Sequence, residues 1–227
     1  MEEIIIASGN KGKIKEAQEI LTGYKVVSIK DIGVEIDVEE DKETFEENAI
    51  KKASEISKYL KGKKCISDDS GIEVEYLNGF PGVFTKRWHA GTDRDRNLEI
   101  IKRLEGVPRE KRKVKWISAI AIAEGEKVIT AVAALEGYVS ETPRGNNGFG
   151  FDEIFELENG KTRAELSDEE KLKVSARKNA FEMLKNKLDN KIWLKYYVNS
   201  DIISQKFVVL SQSVVYNYSK IILRDKI

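Results

Sequence analysis

Apolar residues in this chain alternate between short continuous runs and repeats of three or four, with polar, glycine-bearing stretches between them. The two spacings sketch an α/β fold. Ile4 to Ala7 is a short apolar run, after which Ser8-Gly9-Asn10-Lys11-Gly12-Lys13 leads into Ile14, Ala17, Ile20 and Leu21 at helical spacing. This predicts strand, loop, helix. Thr44 and Glu47 stand as a capping box ahead of Phe45, Ala49, Ala53, Ile56 and Leu60, predicting a second helix that Gly62 stops. Lys64 to Ser67 is strand-like and Asp68-Asp69-Ser70-Gly71 has turn composition. Ile72, Val74 and Tyr76 then alternate with Glu73 and Glu75, so the acidic pair is expected where one strand ends and another begins.

Asn78 to Gly82 reads as a loop, and Leu98, Ile101 and Leu104 mark a third helix ending at Gly106. Trp116–Ala123 and Val128–Leu135 flank Glu124-Gly125-Glu126-Lys127, the pattern of a hairpin of central strands. Gly145, Gly148 and Gly150 make Pro143 to Asp152 a loop whose backbone approaches something closely. Ser167 and Glu170 form another capping box, and Leu172, Ala176, Ala180, Leu184 and Leu188 recur every four residues, predicting one long final helix. Past Leu188 the composition shifts to Trp, Tyr, Val, Ile, Ser and Asn, predicting one or two further strands. The expected organisation is one domain over 1–188 and a C-terminal extension of unknown role over 189–227.

Composition narrows the functional classes. The 227 residues are 41% hydrophobic and 34% charged, as in a soluble globular protein. Lys plus Arg and Asp plus Glu are both 39, so the formal charge is zero. Without a global basic field, a nucleic-acid partner is not expected, and any anion site must be a local pocket. Cys65 is the sole cysteine, which rules out an intrachain disulfide and suits a reducing cytoplasm. The opening Met-Glu-Glu-Ile-Ile-Ile-Ala lacks the basic flank of a secretory signal, and no window is apolar enough to span a bilayer. A cytoplasmic protein with no membrane partner is the expectation.

Candidate chemistry gathers at a few points. The first loop approaches the G-x-x-x-x-G-K-[ST] phosphate loop through Gly12 and Lys13, but Ala7 and Ile14 replace its first glycine and its hydroxyl. A glycine-bearing loop at a helix N-terminus beside a lysine still makes an anion site, and a polar helix-capping turn accounts for the loop equally well. Glu39-Glu40-Asp41 and Asp68-Asp69 are acidic clusters suited to Mg²⁺, which takes one or two carboxylates with phosphate oxygens and water. Solvated loop charge is the simpler account of the first cluster. In the second, adjacent carboxylates repel and raise one pKa unless a cation intervenes. Lys52 follows Asn48 by one helical turn and either snorkels or reaches an anion. Glu47 is explained by capping, His89 reads as a surface or gating residue, and Cys65 as a small buried hydrophobe.

Taken together, these segments resemble the Ham1 family of inosine-triphosphate pyrophosphatases over roughly Met1 to Leu188. Ser8 to Lys13 is similar to the family's S/T-x-N-x-x-K loop. Thr44-Phe45-Glu46-Glu47-Asn48-Ala49 with Lys52 is similar to its T-F-x-E-N-A helix, and Ser67-Asp68-Asp69-Ser70-Gly71 to its A-D-D-S-G segment. Pro81-Gly82-Val83-Phe84 with Ala90-Gly91 resembles P-G-V/I-Y-S-A-R-Y-A-G, Phe149-Gly150-Phe151-Asp152 resembles F-G-Y-D, and Glu169-Glu170-Lys171 with Ser175 and Arg177 resembles the closing E-x-K and S-H-R motif.

The resemblance implies a long mixed sheet flanked by helices, two lobes with the nucleotide in the central cleft, and a homodimer. It implies hydrolysis of ITP, dITP and XTP to the monophosphate and pyrophosphate. Asp69 would be proton acceptor and, with Glu39 or Glu40, ligand to Mg²⁺. Ser8, Gly9, Asn10, Lys11, Gly12, Lys13, Lys52 and Ser70 would hold phosphate. Phe149, Gly150, Phe151, Asp152, Lys171, Ala176 and Arg177 would surround the purine. Ala176 stands where the family has His, which puts base selectivity in doubt. A nucleotide-binding protein without turnover and a P-loop NTPase remain as alternatives; product analysis separates them.

Overall fold

The structure is a computed structural model that describes residues 1–190, 193–196 and 207–210. Among these residues, eight strands form one mixed sheet in the order β2-β1-β3-β4-β5-β7-β8, with β6 on β5. Strands β1 (Glu2–Ile6), β2 (Tyr24–Ser28) and the start of β3 (Cys65–Val74) are parallel, whereas β3, β4 (Lys113–Glu124) and β5 (Lys127–Val139) are antiparallel. β6 is Phe155–Glu156.

Helices α1 (Lys11–Ile20) and α5 (Ala176–Asp189) close one face of the sheet, joining Ala17, Leu21, Phe181 and Leu184 to Ile4, Ile66 and Ile120. Helix α2 (Phe45–Tyr59) closes the other, with Phe45, Ala49 and Ala53 on the alanines of β4. Period-four apolar stripes meet period-two strand faces, which is why the helices pack as layers. The far ends of β3, β4 and β5 run out of this layer into a second lobe. There Ile72, Val74, Val114 and Val139 pack with α3 (Asp93–Arg103) and with Phe151, Ile154 and Phe155. The middle of β3 therefore crosses from one lobe to the other along the floor of the cleft between them.

That crossing corrects one expectation. Asp68-Asp69-Ser70-Gly71 is not a turn but the interior of a ten-residue strand, paired throughout with Ile117–Ile120 of β4. Hydrogen bonding to a long neighbour overrides the low strand propensity of Asp, Ser and Gly. Gly71 serves close approach instead: a Cβ there would collide with Thr85 Oγ1 and the Phe45 ring. Gly71→Ala should cost about 1–3 kcal/mol, the usual penalty of overpacking, and lower the thermal midpoint accordingly. An unchanged midpoint would mean that Thr85 can withdraw freely.

The predicted final helix is two. Helix α4 (Asp168–Lys173) ends at Val174, and Ser175 starts α5 by accepting from Lys178 N at 3.1 Å. The Ser167–Glu170 capping box is present. Thr44 accepts from Glu47 N (3.1 Å), but the Glu47 carboxylate takes the Thr44 hydroxyl (3.0 Å), so only half of that box is found as predicted. Beyond α5, β7 (Trp193–Tyr196) joins β5 at Lys127 and Val128, and β8 (Phe207–Leu210) pairs with β7. The rest of the predicted extension lies outside the described residues. No helix among those described is long and apolar enough to cross a membrane.

Candidate active site

Because consecutive side chains of a strand point to opposite faces, β3 sends Asp68 and Asp69 apart. Asp68 turns toward α1 and α5. It pairs with Lys13 Nζ, accepts from Arg177 Nε at 3.1 Å, and accepts from Ser70 Oγ at 3.0 Å. Burial alone would raise its pKa, but Lys13 and Arg177 outweigh that and hold the carboxyl well below the usual carboxylate range. Asp69 turns toward α2, accepting from Asn48 Nδ2 (3.1 Å) and from Ser70 N (3.0 Å). Its pKa is pushed up to about 6, first by burial and then by the charge of Glu40, with the Asn48 hydrogen bond opposing. One strand thus carries a carboxylate held charged at neutral pH and one poised to exchange a proton.

Above them lies a lysine-lined pocket of about 220 Å³, bordered by Lys13, Glu40, Lys52, Asp69, Thr85 and Lys86 among others. Lys52 Nζ lies 2.9 Å from Glu40 Oε1, and Arg87 donates to the Glu40 carbonyl at 2.7 Å. Glu40 faces the pocket, while Glu39 is exposed outside it. Lys86 makes no hydrogen bond or ion pair among the described residues. Burial and repulsion from Lys13 lower its pKa, against the attraction of Asp68 and Glu40. Sequence reasoning missed Lys86 and Arg87, because a loop has no periodicity to mark which side chains turn inward; consecutive cations after Pro81-Gly82 were the only signal.

The first loop is a helix cap that also borders this pocket. Asn10 Oδ1 accepts from Gly12 N (2.9 Å) and Lys13 N (3.3 Å), and Ser8 Oγ accepts from Asn10 N (3.1 Å). Gly9 leaves room for the Lys30 side chain. Lys11 opens the helix, and its side chain lies outside the described part of the structure.

A second cleft, of about 340 Å³, lies against α1 and α5, lined by Trp116, Phe149, Lys171, Ala176 and Arg177 among others. A channel of about 200 Å³ joins it to the phosphate pocket, sharing Trp116, Phe149 and Arg177 with the cleft and Lys13, Ser70 and Lys86 with the pocket. Phe149 is 54% exposed, its ring free to stack, whereas Phe151 is buried against Trp116. Asp152 and Lys171 are occupied with each other: Lys171 Nζ donates to Asp152 Oδ2 (3.1 Å) and to the Asn147 carbonyl (2.6 Å), while Arg163 holds Asp152 Oδ1 (2.8 Å). They fix the loop that presents Phe149. Arg177, expected at the purine edge, is committed to Asp68 and to Glu16 (3.2 Å) and reaches the cleft only as part of its wall.

Among the described residues, no three His, Cys, Asp or Glu side chains converge as an all-protein metal cage. Mg²⁺ does not need one, since it is commonly held by one or two carboxylates plus substrate phosphates. Glu40 and Asp69, whose charges oppose each other across the pocket, fit that donor set.

A pocket for phosphate joined by a channel to an aromatic cleft is what an enzyme acting on nucleoside phosphates requires, and the fold and site define that class. The sequence model described as Ham1 family matches residues 4–187. The dITP/XTP pyrophosphatase of Bacillus licheniformis is 45% identical over 196 residues, covering 83% of this chain and 99% of the relative. That of Caldanaerobacter subterraneus subsp. tengcongensis is 44% identical over 190 residues, covering 82% and 95%. The structure of the Staphylococcus aureus Ham1 protein superposes with a TM-score of 0.78 at 34% identity, covering 84% of this chain and all of that one (100%). A HAM1 protein from Coxiella burnetii gives 0.77 at 36%, covering 83% and 99%. The chain belongs to the Ham1 family.

Proposed function

We propose that the chain hydrolyses non-standard purine nucleoside triphosphates (ITP, dITP and XTP) to the monophosphate and pyrophosphate, clearing them from the nucleotide pool. The observation that carries the mechanism is the divergence of Asp68 and Asp69 on one strand. Asp69 takes the proton of a water that attacks the α-phosphorus. The new oxygen–phosphorus bond forms as the α–β bridging bond breaks, and pyrophosphate leaves with the bridging oxygen. Lys13, Lys52 and Lys86 neutralise phosphate charge as it redistributes, and the N-terminus of α1 adds backbone dipoles. The purine lies in the cleft against Phe149, with Ala176 in its wall. Glu40 and Asp69 would hold Mg²⁺, which supplies Lewis-acid polarisation of phosphate oxygens. A homodimer in the cytoplasm belongs to the same proposal, drawn from the family resemblance and the single cysteine.

Incubation with ITP and Mg²⁺ should release pyrophosphate and IMP in equal amounts. Orthophosphate would instead favour terminal cleavage, and no release a binding protein. Lys86→Ala should weaken triphosphate binding by about tenfold or more, the worth of one charge-assisted hydrogen bond, and leave IMP binding much less affected. Equal losses for ITP and IMP, measured as inhibition constants and KM, would place Lys86 away from the β- and γ-phosphates.

A further inference from the structure

Gly150 is gripped at both its N–H and its carbonyl by one helix. Asp93 Oδ2, in the first turn of α3, accepts from Gly150 N at 2.9 Å, and Asn97 Nδ2, one turn later, donates to the Gly150 carbonyl at 2.9 Å. Asn97 is fully buried, and its Oδ1 has no partner among the described residues. Turning the amide over would set oxygen against the Gly150 carbonyl, so donation to that carbonyl decides its orientation and leaves the other end unpaired. A leucine would fill the same space without an orphaned acceptor, so packing does not explain the amide. The grip lies beside Phe149, whose ring is open to the cleft. The backbone on either side has φ of +108° at Gly148 and +62° at Gly150, conformations that leave the peptide planes around Phe149 little side-chain restraint.

The same helix also holds the far side of the channel. Arg96 donates to the Gly91 carbonyl (3.0 Å) and lies 2.6 Å from Asp93 Oδ1, and Thr92 caps the helix through a box with Asp95. Residues 85–91, which bring Thr85 and Lys86 to the phosphate pocket, therefore share one anchor with the loop that presents Phe149.

We infer that Asp93 and Asn97 are positioning residues for the purine end of the site: by clamping Gly150 they set where Phe149 stands, and so how tightly the base is held. Naming ITP as the ligand rests on the function proposed above; the clamp does not. Asn97→Leu should keep the fold, since it removes an unpaired buried acceptor together with the donor. KM for ITP should rise about fivefold, equivalent to one net hydrogen bond, with kcat and inhibition by inorganic pyrophosphate within about twofold of wild type. Amide hydrogen exchange over residues 148–151 should accelerate. Asp93→Ala, at an exposed helix start, should act in the same direction even if the leucine variant folds poorly. Asp93→Asn should recover the exchange protection at Gly150, because its amide oxygen still accepts from Gly150 N, while its NH2 group gives up only the Arg96 contact. Unchanged KM and exchange in both variants, or equal losses for ITP and pyrophosphate, would overturn the inference. A wild-type protein inactive on ITP would count against the proposed reaction, and exchange at Gly150 would still decide the clamp.

Discussion

Asp69→Asn is expected to lower turnover of ITP by roughly two to four orders of magnitude, the usual loss on removing a general base, and to stabilise the metal-free fold at neutral pH. The second effect follows from the sign of the pKa shift. The Asp69 carboxyl stands at about 6 in the folded protein against an ordinary 3.8, so folding favours its protonated form. The penalty is absent below the ordinary value, grows as pH rises between the two values, and is complete above about 6. A rise of that size corresponds to about 3 kcal/mol. The amide of Asn can satisfy Asn48 Nδ2 or Ser70 N but not both, which offsets about 1 kcal/mol of the gain. Thermal denaturation in EDTA should show the variant several degrees more stable at pH 7.5 and no more stable at pH 4. A variant that loses stability at pH 7.5 would mean that Asp69 is held by its hydrogen bonds more than it is penalised by burial. Retained release of pyrophosphate would remove it as the base.

Asp68→Asn should do the opposite to stability. The substitution keeps shape and removes charge, leaving the buried Arg177 guanidinium with Glu16 alone and Lys13 without a carboxylate. Breaking one side of a buried ionic cluster costs about 3–5 kcal/mol. The folded carboxyl lies below its ordinary value, so its contribution is present above the ordinary carboxylate range and disappears as pH falls through the folded value. Urea unfolding at pH 7.5 should separate the variant from wild type, and the difference should shrink in acid. Equal stability at pH 7.5 would mean that Glu16 suffices for Arg177.

These opposite signs for neighbouring residues show what was legible in the chain and what was not. The stripe of Phe45, Ala49, Ala53 and Ile56 is dense enough that packing and pattern agree, and α2 lies where it was expected, from Phe45 to Tyr59. The Trp116 and Val128 segments likewise pair as a hairpin. Asp68-Asp69-Ser70-Gly71 reads as a turn because its residues avoid strands in isolation; only the neighbouring β4 makes it one, and that neighbour is almost fifty residues away. The break at Val174 stayed hidden for a different reason. Leu172 and Ala176 keep the four-residue spacing across it, so periodicity continues where the helix axis does not. In the site, Lys13, Lys52, Asp69 and Phe149 do converge on one channel-linked cleft. The partners of Arg177 could not be read, since Glu16, Asp68 and Arg177 meet only after three separate elements have packed.

The ten-residue register of β3 against β4 bears on how such a chain can diverge. Its two aspartates do different work only because strand geometry alternates, and that assignment is counted from the fixed pairing of Cys65 with Ala123 to Val74 with Val114. Substitutions on the surface of the strand leave the count intact. Insertion or deletion of a single residue between Cys65 and Asp68, unless a bulge absorbed it, would rotate both carboxylates to the wrong faces, setting one against the α2 amide and the other between Lys13 and Arg177 with their histories exchanged. Descendants of this sequence can therefore drift in composition along β3 far more readily than in length.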